Sequence, residues 1–304
     1  MVIRMMLVAA LILGGAGVAA FGLGQAGGAP VQLLALEFNS DGMLYAVDSK
    51  NNQIVSFQPD EKKATKVAPV QVPDLGAQLA KALGAAATDV LVHDVAVHPA
   101  SYAVFVSAGK KGAQESRLFR VGADRKLTEV AVNDIKKAAV PLPAGTQAFD
   151  LALTAKNVIV SSTSQDRTFG SGLHRVSLPL AEGKVANAQT EVYHTSHRAW
   201  ETRAPLIAIT AYTAGGKEFL VGSTKCTPVV RVPVDEIGDK AKVKTTTIIE
   251  LGGRNGPVSM LVYGQGPRQS MIVTHQNTDK EGAYKVAGAV LAEGSRVNEQ
   301  APNR

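Results

Sequence analysis

The chain has a single cysteine, a single tryptophan and few aromatics, 5% of its residues, and only 19% of its residues are charged. Each shortage narrows the reading. The lone thiol, Cys226, makes no internal disulfide, so in an oxidising compartment it is buried, bound to something or paired with another chain. It also leaves no CxxC pair, no CxxCH for covalent haem and no lipobox near the N-terminus. HExxH, the GxSxG elbow and the P-loop are missing too, which argues against the common chemistries those motifs carry and leaves an unfamiliar one open. The net charge is +6, but the basic residues fall in isolated pairs such as Lys62–Lys63, Lys110–Lys111 and Lys136–Lys137. No aromatic residues interleave with them, so no nucleic-acid partner is expected.

What is present is small and apolar. The 304 residues are 45% hydrophobic, enough for a sizeable core, and 29 glycines suit short strands and turns better than long helices. Residues 1–29 read as a targeting segment: Arg4 gives a positive start, 5–20 is uncharged, and small residues continue to Ala29. Cleavage after Ala20 or Ala26 makes it a signal peptide; retained, it is an N-terminal anchor. Either way a periplasmic or secreted location is expected, with membrane contact only if the leader is uncleaved.

From residue 33 onward, short strands recur in sets of four. The first set is 33–38, 43–47, 53–57 and 64–72, with a polar turn at 39–42. Later sets begin near 91, 149, 206 and 258, and the last ends with a weak strand near Val297. Aligning the first strands places Ala35, Asp94, Asp150, Leu206 and Ser259 in equivalent positions, at a repeat of roughly 50–60 residues. The expected fold is therefore all-β, a single β-propeller over 30–298 with five four-stranded blades visible and six possible. A β-sandwich is the rival. Leu75, Leu79, Ala82 and Leu83 recur at helical spacing, so a short helix is expected within 74–87, between the first two blades. Residues 299–304 read as a polar tail.

The blade sequence NSDGMLYAVDS (39–49) followed by QIVSF (53–57) resembles the NHL and SMP-30-like propellers, and HDVAVHP (93–99) is similar to the opening of another such blade. The resemblance implies a propeller with a ligand site at the central channel; those families hold both enzymes and binding modules, so it implies no activity. The segment 202–263, with KCTP and GGRNGP, also resembles uncharacterised secreted bacterial propellers. An SMP-30-like lactonase would need a channel cation such as calcium held by oxygens. Glu37, Asp94 and Asp150 lie on first strands, but the asparagines of such enzymes have no clear matches. Capping of first-strand backbone groups is the alternative role for Asp94 and Asp150.

Counting strands around a propeller gathers the scarce polar residues on one face. That face receives His93, Asp94, 147–150, 194–203 and 252–255, with the turns 48–52, 110–116, 163–170, 225–227 and 275–280. The stretch 193–201, YHTSHRAWE, concentrates two of the six histidines and the tryptophan. His194, His197 and Glu201 with Cys226 are a candidate copper or zinc site, because imidazole and thiolate suit those ions. The alternative is that His197 and Trp200 pack between blades. Cys226 is also a candidate nucleophile, with 252–255 supplying backbone donors, or a buried hydrophobe. Arg203 and Arg254 are candidates to clamp an acidic ligand, and His93 and Asn255 share that rim. The expected function is an exported propeller that binds a small-molecule or protein ligand, or a metal, on this face. The alternative is a metal-dependent hydrolase or oxidoreductase using the same residues.

Overall fold

The computed structural model describes residues 30–66, 72–164, 170–180, 183–194, 198–226, 228–251, 256–264, 269–276 and 281–287. The leader, the tail, the weak strand near Val297 and the site candidates His197, Arg254 and Asn255 lie outside these. The chain is all-β and of the β-propeller class expected from its repeats. It forms two compact units, one running to Ala138 and one from Ala139 onward, with Asn52–Ile54 counted in the second.

The first unit opens with β1 (Leu33–Phe38), β2 (Leu44–Asp48) and β3 (Gln53–Phe57), all heavily buried. The turn between β1 and β2 is held by Asn39, whose Oδ1 accepts the N–H groups of Asp41 (3.1 Å) and Met43 (2.8 Å). Gly42 sits there at φ 82°, and a Cβ on it would come within 2.5 Å of His98 Nε2, so both backbone and space demand glycine.

Helix α1 (Leu75–Leu83) forms where the apolar spacing predicts it. Asp74 caps its first turn and Gly84 ends it at φ 62°. Leu79 and Leu83 pack on Val106, Ala108 and Phe119 of the second sheet, so the helix is a packed connector. That sheet runs β4 (Val90–Val97), β5 (Val104–Lys110), β6 (Ser116–Val121), β7 (Leu127–Val130). Phe38, Phe57, Phe105 and Leu118 form the core between the two sheets, with the rings of Phe38 and Phe105 edge-on at 5.1 Å.

One expectation fails here. Residues 64–66 are not strand, 67–71 lie outside the description, and the fourth strand of the first sheet is β8 (Lys136–Pro141), which follows the second sheet and the short helix α2 (Val132–Ile135). The physical reason is a tether. Glu61, with only 4% of its side chain exposed, pairs through both carboxylate oxygens with Arg120 of β6. The chain leaving β3 is thus drawn onto the second sheet, and the edge of β3 is left for β8.

In the second unit the third sheet runs β9 (Thr146–Leu153), β10 (Asn157–Ser164), β11 (Gly172–Ser177), β12 (Val185–His194), β13 (Ala199–Glu201). The fourth sheet is β14 (Leu206–Ala214), β15 (Lys217–Thr224), β16 (Pro228–Pro233) and β18 (Thr246–Glu250); the intervening β17 (Lys242–Lys244) pairs parallel to β12. The fifth sheet has three strands among the described residues, β19 (Gly256–Tyr263), β20 (Ser270–Gln276) and β21 (Glu281–Ala287). The third and fourth sheets bury Ile159, Leu173, Ile209 and Leu220 against each other, and the fourth and fifth bury Val221, Ile248, Met260 and Val273.

All five first strands carry a β-bulge at the same place. The extra residues are Leu34, His93, Phe149, Ile207 and Val258. The bulge makes Ala35, Asp94, Asp150, Ala208 and Ser259 structurally equivalent, which corrects the sequence alignment at one point: Leu206 was placed two residues early. Opposite these positions stand Ser107, Ser161, Ser223 and Thr274 on four of the five second strands.

Candidate functional site

The bulges decide what Asp94 and Asp150 touch. Each sits directly after a bulge, where the strand turns its side chain toward a neighbouring first strand. Asp94 accepts the N–H of Leu36 in β1 (2.7 Å) and of Val95 (2.8 Å). Asp150 accepts the N–H of Ile209 in β14 (2.9 Å) and of Leu151 (2.8 Å). The two acids make the same link, a carboxylate on one first strand holding the backbone of the next, which is the capping role weighed for them above. His93 is the bulge residue before Asp94. Its ring lies over Gly109, and Nε2 is buried with no hydrogen-bond partner among the described residues. Burial lowers its pKa, against the opposing pull of Asp94, so the imidazole is neutral at physiological pH.

Of the four proposed metal ligands, the structure brings His194 and Glu201 together, and His197 lies outside the described residues. His194 is buried at the end of β12, its Nδ1 3.4 Å from Glu201 Oε1 across the β12–β13 hairpin. Cys226 is exposed in the turn after β15, its N–H donating to Thr224 Oγ1. It is therefore not the buried hydrophobe weighed for it. Among the described residues no group of three His, Cys, Asp or Glu side chains is placed to hold an ion. Trp200 is 39% exposed and does not fill a core between blades. It meets Tyr193 edge-on at 5.5 Å and carries Lys244 Nζ 5.1 Å from its ring centroid. Arg203 is exposed, with Gly170 pressed so close that a Cβ there would come within 2.6 Å of its Cα.

A concavity of the first unit lies at another of the turns singled out from the sequence. It is a groove of about 600 Å³ at the turn between β5 and β6, within 110–116. One wall is that turn, with Lys110 and Glu115. The other is the end of β7 and α2, with Glu129 and Asp134. Buried Leu83 and Leu118 belong to its lining, as does Arg117, whose Nη1 donates to Ala82 O (3.1 Å) and Glu129 Oε2 (3.4 Å). Lys50, from the turn at 48–52, closes on Glu115 at 2.5 Å. Strand counting singled out both turns, but nothing in the sequence said that α2 would build the facing wall.

A second arrangement went unread. His174, 2% exposed in β11, bonds Ser162 Oγ through Nε2 and Asn187 Oδ1 through Nδ1, both at 2.7 Å. Asn187 accepts from Nδ1–H, which leaves Nε2 as the acceptor of the serine hydroxyl. The order serine, histidine, amide is that of a nucleophilic triad, but Ser162 is fully buried, so the network reads as a polar brace across β10, β11 and β12. Burial lowers the pKa of His174, opposed by the bond to Asn187.

No family profile matches the chain, and no curated protein does. Among solved structures it is similar to virginiamycin B lyase from Staphylococcus aureus, at 12% identity and a TM-score of 0.39 over 84% of each chain. It is also similar to the PQQ-bound aldose sugar dehydrogenase of Streptomyces coelicolor, at 11% identity and a TM-score of 0.35 over 84% of this chain and 94% of that one. A GH43 β-xylosidase/α-arabinofuranosidase from a compost microbial metagenome gives 11% identity and a TM-score of 0.37, over 84% and 91%. Likenesses of this degree carry no argument about activity, ligand or site residues.

Proposed function

We propose that this chain is an exported binding module that takes its ligand in the groove between the β5–β6 turn and α2. The observation that carries the reading is the groove itself. At about 600 Å³ it falls in the range of ligand sites, roughly 300–1,000 Å³, and its lining combines apolar residues with a few charged groups. The leader sequence supports export, and the NHL- and SMP-30-like blade signature is compatible with a binding role. The metal-dependent enzyme is the weaker reading, since His194 is engaged with Glu201 while Cys226 stands exposed.

Amide chemical shifts test the choice. The labelled protein is titrated with a fragment set of amino acids, short peptides, sugars and carboxylates, and separately with zinc. Shifts clustered at 109–118 and 129–134 with an organic fragment support the groove. Saturable shifts confined to His194, Glu201 and Cys226 with zinc would replace it by the metal reading.

A further inference from the structure

The charges of the groove point to its ligand, an inference that rests on the groove being the binding site. Five charged side chains line it. Three are accounted for by partners: Glu115 is paired with Lys50, and Arg117 with Glu129. That leaves Lys110 and Asp134, both exposed and neither bonded to another side chain among the described residues. They do not stand together. Lys110 ends β5 and Asp134 belongs to α2, which follows β7, and β6 lies between β5 and β7 in the sheet. The groove therefore presents an open cation at the end of β5 and an open anion on α2, with Leu83 and Leu118 among its apolar lining.

Opposite charges held apart in a groove with apolar lining complement a ligand with the reverse arrangement. A ligand of one sign would gain at one wall and be repelled at the other, because like charges brought close disfavour binding. A neutral apolar ligand would leave both rim charges partly desolvated without compensation. From this geometry we infer that the groove takes a short zwitterionic peptide, its carboxylate toward Lys110, its ammonium toward Asp134 and an apolar side chain against the apolar part of the lining. The outer edge of β7 adds to the fit, since it has no strand partner among the described residues and offers backbone groups to an extended chain.

Calorimetry on the full chain with three probes tests this: the tripeptide Ala-Leu-Ala, its N-acetylated form and its C-terminal amide. Blocking either end is expected to raise Kd about fivefold, the scale of one partly exposed ion pair. Lys110→Gln should abolish the penalty for the amide and keep that for the acetyl group, and Asp134→Asn should do the reverse. Both positions are on the surface, so the variants fold. Equal affinity for all three probes overturns the zwitterion while leaving the groove intact if Ala113→Trp, at the rim, weakens all three together. End-dependent binding that none of the three substitutions changes overturns the peptide assignment and the groove together. No heat with any probe at millimolar concentration overturns the peptide inference alone, because the fragment titration judges the groove separately.

Discussion

Replacing Asp150 by asparagine tests whether the aspartates after the bulges hold the first strands together. The side chain is 8% exposed, and its two oxygens accept N–H groups at 2.8 and 2.9 Å from Leu151 and Ile209, both fully buried. Asparagine keeps one acceptor, so the bond to Leu151 survives. Its amide nitrogen then faces the N–H of Ile209, donor against donor. The loss is one charge-assisted hydrogen bond, about 1.5–3 kcal/mol, with a buried N–H left unsatisfied. A net destabilisation of about 2–3 kcal/mol is expected. For a chain of this size that lowers Tm by roughly 3–5 °C. Asp94→Asn should cost less, about 1–2 kcal/mol, because Asp94 is only half-buried. Urea unfolding followed by circular dichroism reads both values. A change within about 0.5 kcal/mol for Asp150→Asn refutes the tie, and lost ligand binding at unchanged stability would return Asp150 to the list of binding residues.

Three further outcomes follow from buried or exposed polar groups. His174 is held below its ordinary pKa of 6.5 by burial, so the unfolded chain takes up the proton first. Its contribution is complete above about pH 6.5 and drains as pH falls below that value, by up to about 1.4 kcal/mol per pH unit. Urea midpoints of His174→Gln should therefore fall less steeply than those of the parent from about pH 7 to about pH 5, and parallel slopes would contradict the assignment. Burial alone would raise the pKa of Glu61, but the hydrogen bond and charge of Arg120 hold it below the usual carboxylate range. Arg120→Met should cost about 2 kcal/mol, less than a fully buried pair because Arg120 is 35% exposed, and adding Glu61→Gln should recover part of it in a double-mutant cycle. Cys226 should be alkylated in the folded protein at nearly its rate in urea, and strong protection without metal would place the sulfur inside.

Legibility divided by range. The turn at 39–42 and helix α1 were readable because their signals are local: an asparagine that bonds two residues on, a glycine at positive φ, Asp74 and Gly84 at the helix ends. The bulges were not, because the extra residue breaks the alternation that sets strand register. In β14 the run Leu206, Ile207, Ala208, Ile209 is apolar at every position, so nothing in it marks which residue is extra. The brace of Ser162, His174 and Asn187 joins three strands at spacings of 12 and 13 residues, a distance no short motif records. Counting strands marked the turns at 48–52 and 110–116 as places to look, but the groove beside the second depends on where β7 stops and α2 begins.

The displaced strand β8 also explains a discrepancy in the links between first strands. Asp94, in the second sheet of the chain, reaches back to the first, whereas Asp150, in the third, reaches forward to the fourth. Taken in chain order, the two links run in opposite senses. The first sheet, however, is completed only when β8 joins it, after β7 has completed the second. In order of completion the second sheet precedes the first, and each aspartate then reaches the sheet completed next. The tether of Glu61 on Arg120 thus accounts for the position of β8 and, through it, for the sense of the link made by Asp94. It acts across 59 residues, and for that reason the repeat could be read from the sequence while the order in which its strands are assigned to sheets could not.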